Sequence, residues 1–444
     1  MGLKYVEHIK SGALFLLILL SLALTFTIWT FTPSHETIEP STTVDEPIAD
    51  SKNTEEIVRP VKLLFHNEEE VTGTIDQSNV QLLLDAIQQW QIQDIRLIQE
   101  ETTPDTMESY MHSSNRAVIY YPGLVPFPVF DTMTNIIDTT IPESSFDRIV
   151  VEWDAPANDQ PALYFMNTVS GRIYKAAIPA ENLKQFQTDI LTEAAEYDSY
   201  ITDETIGALP IYVQEGEVEK VSVNYILEET STAKFAEALL DSPELTLSAD
   251  LMTQEYTDDS GALMRENPST VSISYVQPKA ETSDPAIPSD LLFDSIGLIN
   301  GHGGWTDNYL YAGMNSVSQH IKYQLYVGDL PVFSSTTAAA LDLTWGTDAG
   351  EEQAYNYNRP IYQLDSEAES SVAVLASGEE VLKAIAQINN QDLSVVTDIK
   401  PAYKLTQSEE RFFLIFEPAW YFEANGVWTE LTSELTGGRE LGLE

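Results

Sequence analysis

An uninterrupted apolar run near the start constrains this chain more than any other feature. No ionisable side chain occurs between Lys10 and His35, and residues 12–31 read GALFLLILLSLALTFTIWTF. As a helix this run would be about 30 Å long, the thickness of a bilayer's hydrocarbon core, so the sequence predicts a transmembrane helix over 11–32. Lys4 and Lys10 precede it, and Glu36, Glu39, Asp45 and Glu46 lie beyond it. The positive-inside bias then puts residues 1–10 in the cytoplasm and the bulk of the chain outside the cell, a single-pass protein of the cell membrane. A cleaved signal peptide is the competing reading, although its apolar region is usually about 7 to 15 residues. The small-x-small site Ser21-Leu22-Ala23 lies inside the run. Ser21, Thr25, Ile28 and Thr32 fall at i, i+4, i+7 and i+11, a stripe that would let a partner helix pack closely and hydrogen-bond across the contact. The plainer reading has these hydroxyls bonded to carbonyls of their own helix.

Beyond the run the balance of charge is extreme. Of 444 residues, 70 are acidic and 22 basic, giving a formal net charge of -48. Such a chain repels a polyanion, which excludes nucleic acid as a partner. It suits a folded surface kept soluble in high salt or at high external pH. A hydrophobic share of 43% supplies enough material for packed cores, and the length predicts about two to four domains. The absence of cysteine removes disulfides, thiol catalysis, thiolate-bound metals and a lipoprotein anchor.

Residues 33–58, rich in acid and proline and without an aromatic side chain, read as a flexible acidic tether. The remainder of the chain is expected to be α+β: a three-domain extracytoplasmic part of antiparallel sheets with flanking helices, over 59–206, 207–288 and 289–444. In the first domain, strands are predicted over 61–65, 95–98, 117–121, 148–153, 162–169 and 172–178. A helix capped by Ser78 carries Val80, Leu83, Leu84 and Ile87 at helical spacing, and a second carries Leu183, Phe186, Ile190, Ala194 and Tyr197. Two helices on one sheet is the simplest packing. The central domain shows strands over 209–214, 218–227, 246–256 and 269–276 with a helix over 233–240, and 278–288 reads as a linker or long loop. The third shows strands over 308–314, 319–327, 332–333, 395–405, 412–423 and 427–431 with a helix over 379–388. The order of strand, helix and long hairpin repeats between the second and third, which is compatible with an internal duplication.

No catalytic set emerges. Ser231-Thr-Ala-Lys234 matches an S-x-x-K box, but about one such match is expected by chance, and the companion boxes are misplaced. Ser231 or Thr232 reads as a helix cap. The cluster Gly301-His-Gly-Gly-Trp-Thr-Asp307 could suggest a metal site, an acid–base pair or an anion cradle. His302 has no second histidine at ligand spacing, so the preferred reading is a tight loop with Trp305 in the core. Asp258-Asp259 and Glu68-Glu69-Glu70 lack the spacing of a calcium loop. No catalytic, cofactor-binding or metal-binding residue is assigned, no cofactor is expected, and the chain reads as a non-enzyme.

Several segments resemble a known family. They are Lys4-Tyr-Val-Glu7-His-Ile-Lys-Ser11 leading into the apolar run, Arg59-Pro60 before Leu63-Leu-Phe-His66, Ile299-Asn-Gly-His-Gly-Gly-Trp305, YQLYVGDLPVF over 323–333, and Glu417-Pro-Ala-Trp-Tyr421. Together they resemble the YycH (WalH) family, membrane-anchored accessory proteins of the WalK/WalR (YycG/YycF) two-component system of Gram-positive bacteria. The resemblance implies a regulator of the WalK sensor kinase in cell-wall homeostasis. It would work with the sister protein YycI, through membrane helices and ectodomain contacts. The alternative function is an extracytoplasmic module, tethered to the membrane, that binds peptide or wall fragments in the aromatic third domain.

Overall fold

The computed structural model describes residues 14, 17 and 19–21, and residues 48–432 apart from 69, 139, 155–160, 248–252, 281–284, 349–350, 389–391, 409 and 411. Contacts divide the chain into two compact units, Met1–Pro47 and Ile48–Glu444.

The first unit corrects the sequence reading. Among the described residues no helix is long and apolar enough to cross a membrane. Of the expected span, residues 14, 17 and 19–21 are described, each at a helical position, and the others lie outside the described residues. The expected transmembrane helix over 11–32 is therefore withdrawn. With it go the single-pass architecture and the placement of the N-terminus in the cytoplasm and of the bulk outside the cell. Ser21 occupies a described helical position, whereas Thr25, Ile28 and Thr32 lie outside the described residues.

The second unit is built on two large sheets. The N-terminal sheet has ten strands among the described residues. Its centre is formed by Lys62–His66, Arg116–Pro126, Ser145–Glu152 and Ala162–Asn167, all antiparallel. Alternation sorts the side chains onto two faces. Leu63, Phe65, Ile119, Ile149 and Phe165 enter the main core, while Leu64, Val118, Val150, Tyr164 and Met166 face a second cluster with Met107 and Met111. The helix Gln77–Gln88 buries Val80, Leu83 and Ile87; its N-cap is Asp76, whose side chain accepts from the Ser78 amide, rather than Ser78 itself. Two helices that the sequence reading missed, Pro104–Met111 and Phe127–Met133, complete the packing.

The second sheet has fourteen strands among the described residues and draws on both 207–288 and 289–444. Val218–Ile226 pairs with Glu367–Leu375 on one side and with Phe413–Ala424 on the other. Ser272–Val276 joins through Glu351–Pro360. Helix Pro288–Gly301, which begins inside the stretch read as a loop, packs Leu291, Leu292, Ile296 and Ile299 into the core.

One cluster of buried side chains runs from Ile57 through Phe146 and Phe165 to Tyr309, Tyr311 and Phe416, so the two sheets share a core. They come into backbone contact at glycine. A Cβ on Gly123 would lie 2.5 Å from Gly313 Cα and 2.9 Å from the Ala312 carbonyl oxygen. Beside it, the Tyr311 hydroxyl donates to the Leu124 carbonyl at 2.6 Å. Residues at the end of the expected tether also tie the sheets together. The Lys52 amide donates to Asn300 Oδ1 at 2.9 Å, Asn300 Nδ2 returns a bond to the Lys52 carbonyl at 3.0 Å, and Thr54–Ile57 forms a helical turn that buries Ile57.

Because backbone atoms oppose Gly123, a side chain there cannot be relieved by a rotamer change. Gly123→Ala should lower unfolding stability by about 1–3 kcal/mol in urea denaturation. Gly216→Ala, where a Cβ meets nothing within 4 Å, should leave the midpoint nearly unchanged.

Candidate functional site

Strand register assembles the site. Lys62 lies opposite Tyr120, and Tyr120 lies opposite Arg148, so three neighbouring strands present a cation, a ring and a second cation on one face. Lys62 Nζ is 4.8 Å and the Arg148 guanidinium 4.4 Å from the centre of the Tyr120 ring, both within reach of its π face. Burial pushes the Tyr120 phenol well above its usual range, so the ring stays neutral.

The other wall comes from strand Val396–Gln407, where alternation puts Asp398 and Lys400 on the same side. Lys400 Nζ lies 2.7 Å from Asp398 Oδ2, and Lys62 Nζ lies 3.7 Å from Oδ1. Lys62 also donates to the Tyr212 carbonyl at 3.3 Å. Arg148 pairs with Asp147 at 3.0 Å and donates from Nη1 to the Tyr121 carbonyl at 3.1 Å. Burial alone would raise the Asp398 carboxyl, but Lys400 and Lys62, with Arg148, outweigh it and hold it at about 2. Burial lowers the Lys62 ammonium, and Asp398 opposes that shift.

These charges stand between two chambers. One, of about 590 Å³, is walled by Met107, Met111, Leu209, Pro210 and Ile211; the other, of about 490 Å³, by Tyr326, Pro331, Phe333 and Trp428. Lys62, Tyr120, Arg148 and Asp398 line both. At the edge of the first, His66 Nε2 and His112 Nδ1 are 2.9 Å apart. Burial lowers His66 to about 4, and burial followed by His66, Arg148 and Lys62 lowers His112 to about 2. Both imidazoles are therefore neutral near pH 7, one donating to the other. The arrangement lines a cavity with fixed charges of both signs, a geometry suited to binding.

The family model for the YycH protein N-terminal domain matches residues 7–194, and that for the YycH protein C-terminal domain matches residues 211–437. The chain belongs to the YycH family. It is 21% identical to a Bacillus subtilis (strain 168) protein described as the two-component system WalR/WalK regulatory protein YycH, over 97% of each chain. The crystal structure of YycH from Bacillus subtilis superposes with a TM-score of 0.71 at 18% identity, covering 87% of this chain and 99% of that one. At that identity the superposition establishes the fold. As a YycH-family protein the chain is a regulator and not an enzyme.

The residues singled out from the sequence lie elsewhere in this YycH-family fold. Ser231 occupies the N-cap position of helix Thr232–Leu239 without a side-chain capping bond, and the Thr232 hydroxyl instead donates to Gln254 Oε1 at 2.9 Å. Asp258 closes its own turn by accepting from Ser260 and the Ala262 amide. Among the described residues no group of three His, Asp or Glu is placed to hold a metal ion. The Gly301–Asp307 stretch is the expected tight loop, with Trp305 buried. Gly303 has φ +63°, and a Cβ there would lie 2.5 Å from the Ala49 carbonyl oxygen. His302 donates from Nδ1 to the Leu298 carbonyl at 2.8 Å, and the Tyr357 hydroxyl donates to Nε2 at 3.3 Å. Fully buried Arg359 donates to the Gly304 carbonyl at 2.8 Å and to Thr306 Oγ1 at 3.0 Å.

The charged cleft itself was missed because its members lie on several strands and meet only through register and sheet packing. The legible hint was the scarcity of cations: in a chain with 22 basic residues, Asp398-x-Lys400 on a predicted strand marks a position where charge is turned to one face.

Asp307, at the end of the loop, carries a pH dependence. Its Oδ1 accepts from the Leu364 amide at 3.0 Å, and its Oδ2 is buried with no hydrogen-bond partner among the described residues. Burial, opposed by the Leu364 bond, Arg359 and Lys52, raises this carboxyl to about 7. The unfolded chain releases that proton near pH 4 while the folded chain keeps it until about 7, so the group destabilises the fold progressively as pH rises through that window. Asp307→Asn removes the titration. Its melting temperature relative to the parent should climb between pH 5 and 7.5 and then level off, and a pH-independent difference would contradict the burial argument.

Proposed function

We propose that this YycH-family chain regulates a WalR/WalK-type two-component system by binding its partners, together with a YycI-like sister protein. The observation that carries this reading is collinearity. Both family models match in order across 7–194 and 211–437, and the Bacillus subtilis relative described as a WalR/WalK regulatory protein aligns over 97% of its own length. The fold is consistent with regulation through binding. It offers broad sheet surfaces and a charged cleft where the two halves meet, and such a protein works by shifting a partner's conformational equilibrium. A coupling of about 1–3 kcal/mol is enough for a change of about 5- to 150-fold.

The alternative, capture of peptide or wall fragments by the aromatic third domain, is less well supported by the geometry. A cavity of about 680 Å³ does lie beside Phe333, Tyr421 and Trp428. The indole is already engaged, stacked on Phe333 at 5.1 Å and with the Lys400 ammonium 4.4 Å from its centre. Little of its face remains for a sugar or peptide.

Deleting the gene in its native host should change transcription from WalR-dependent promoters several-fold, and a tagged full-length chain should co-purify with the sensor kinase. Unchanged transcription together with no kinase recovered would overturn the regulatory reading.

A further inference from the structure

We propose that the first chamber of the cleft is a binding site for an amphipathic organic anion, its acidic headgroup held by Lys62 and Arg148 and its apolar body lying along Met107, Met111, Leu209 and Ile211. The inference rests on the geometry of the cleft and is independent of the regulatory reading.

Charge supplies the first argument. On a chain of net charge -48, cations spread at random would each be surrounded by carboxylates. Here Lys62, Arg148 and Lys400 converge on one cluster that contains two carboxylates, Asp147 and Asp398. Within the cluster cations outnumber carboxylates three to two, with Lys400 lying outside the first chamber, so Asp398 is shared between Lys62 and Lys400 and does not satisfy Lys62 alone. Glu101, a further carboxylate of the chamber, is solvent-exposed.

Unused donor capacity supplies the second. An ammonium has three donors, and Lys62 directs one to the Tyr212 carbonyl at 3.3 Å while its distance to Asp398 is 3.7 Å, too long for a hydrogen bond. Among the described residues, the hydrogen bonds and ion pair of Arg148 run through Nη1, leaving Nη2 and Nε without a protein partner. The side chains of Lys62 and Arg148 are only 12% and 20% exposed. A headgroup reaching them would be largely desolvated, where charge-assisted bonds are strongest.

The third argument is the shape and lining of the remainder. The chamber's volume, about 590 Å³, falls in the range typical of small-molecule sites. Its lining is mixed: two methionines on helix Pro104–Met111 and Leu209, Pro210 and Ile211 supply apolar surface, beside the hydroxyls of Thr102, Thr168, Ser170, Ser394 and Thr397. Methionine adapts to an irregular apolar body. A purely structural clamp would need the ion pairs but would have no use for a chamber that sets apolar side chains beside them.

Isothermal titration and thermal shift with the full chain test this, using octanoate and octyl phosphate as probes, octanol as the neutral tail, and inorganic phosphate as the bare head. At least one of the two amphipathic anions should bind saturably and raise the melting temperature, and their relative affinity distinguishes a carboxylate from a phosphate headgroup. Octanol and inorganic phosphate should each bind at least about tenfold more weakly. Arg148→Met should weaken anion binding by about 10- to 100-fold, the loss expected for a hydrogen bond to a charged group. Leu209→Asn, which adds no charge and leaves every ion pair intact, should weaken it through the tail. The site is refuted if neither anion binds saturably, if octanol binds as well as the anions, or if both variants retain parental affinity while melting as the parent does.

Discussion

The close contact of two sheet backbones at Gly123 and Gly313 is the constraint on which the rest of the structure depends. No side chain fits at Gly123, and the adjacent bond from Tyr311 to the Leu124 carbonyl fixes the depth of approach. With the sheets that close, their buried side chains merge into one cluster. An interface of this kind behaves as interior, close-packed and intolerant of sliding. The charged cleft is then the space left where the sheets diverge, with Lys62, Tyr120 and Arg148 from one and Asp398 and Lys400 from the other.

Electrostatics explains why the cleft is unusual in this molecule. Most of the surface is acidic and self-repelling, which favours solubility and discourages association with polyanions. Inside the cleft the two signs are nearly balanced, with Lys62, Arg148, Lys322 and Lys400 against Glu101, Asp147, Asp329, Asp398 and Glu423, and the cations are held by packing: Tyr120 lies between Lys62 and Arg148, and Trp428 backs Lys400. Breaking such a network by removing one partner is far more costly than its net contribution to stability. Its value lies in a preformed, partly dry field that needs no reorganisation when a charged group arrives. The partly buried His66–His112 pair, neutral near pH 7, adds no charge to it.

Local pattern made much of the second unit legible. Period-two alternation located the strands around 62–66, 116–126, 218–226 and 413–424, and helical spacing located Gln77–Gln88 and Gly378–Ala386. Helix Pro288–Gly301 was hidden behind the prolines that precede it, although Pro288 sits at its first turn, where proline is tolerated. Edge strand Glu367–Leu375 escaped notice because it is largely exposed and carries no apolar alternation. Hydropathy alone placed a membrane helix at the N-terminus, and among the described residues none is long enough to be one. The cleft was out of reach because register between distant strands leaves no local trace: Lys62 and Asp398 lie on strands far apart in the sequence.

A direct test of the central claim, that the two sheets form one body with a fixed cleft, is a distance measurement. The native chain has no cysteine, so spin labels at Leu82→Cys and Val317→Cys, both exposed in the parent, report on the two halves without interference. Double electron–electron resonance should give a single narrow distance distribution that does not change with salt or added partner. A broad or two-peaked distribution would mean that the halves move independently and that the cleft is not a built site.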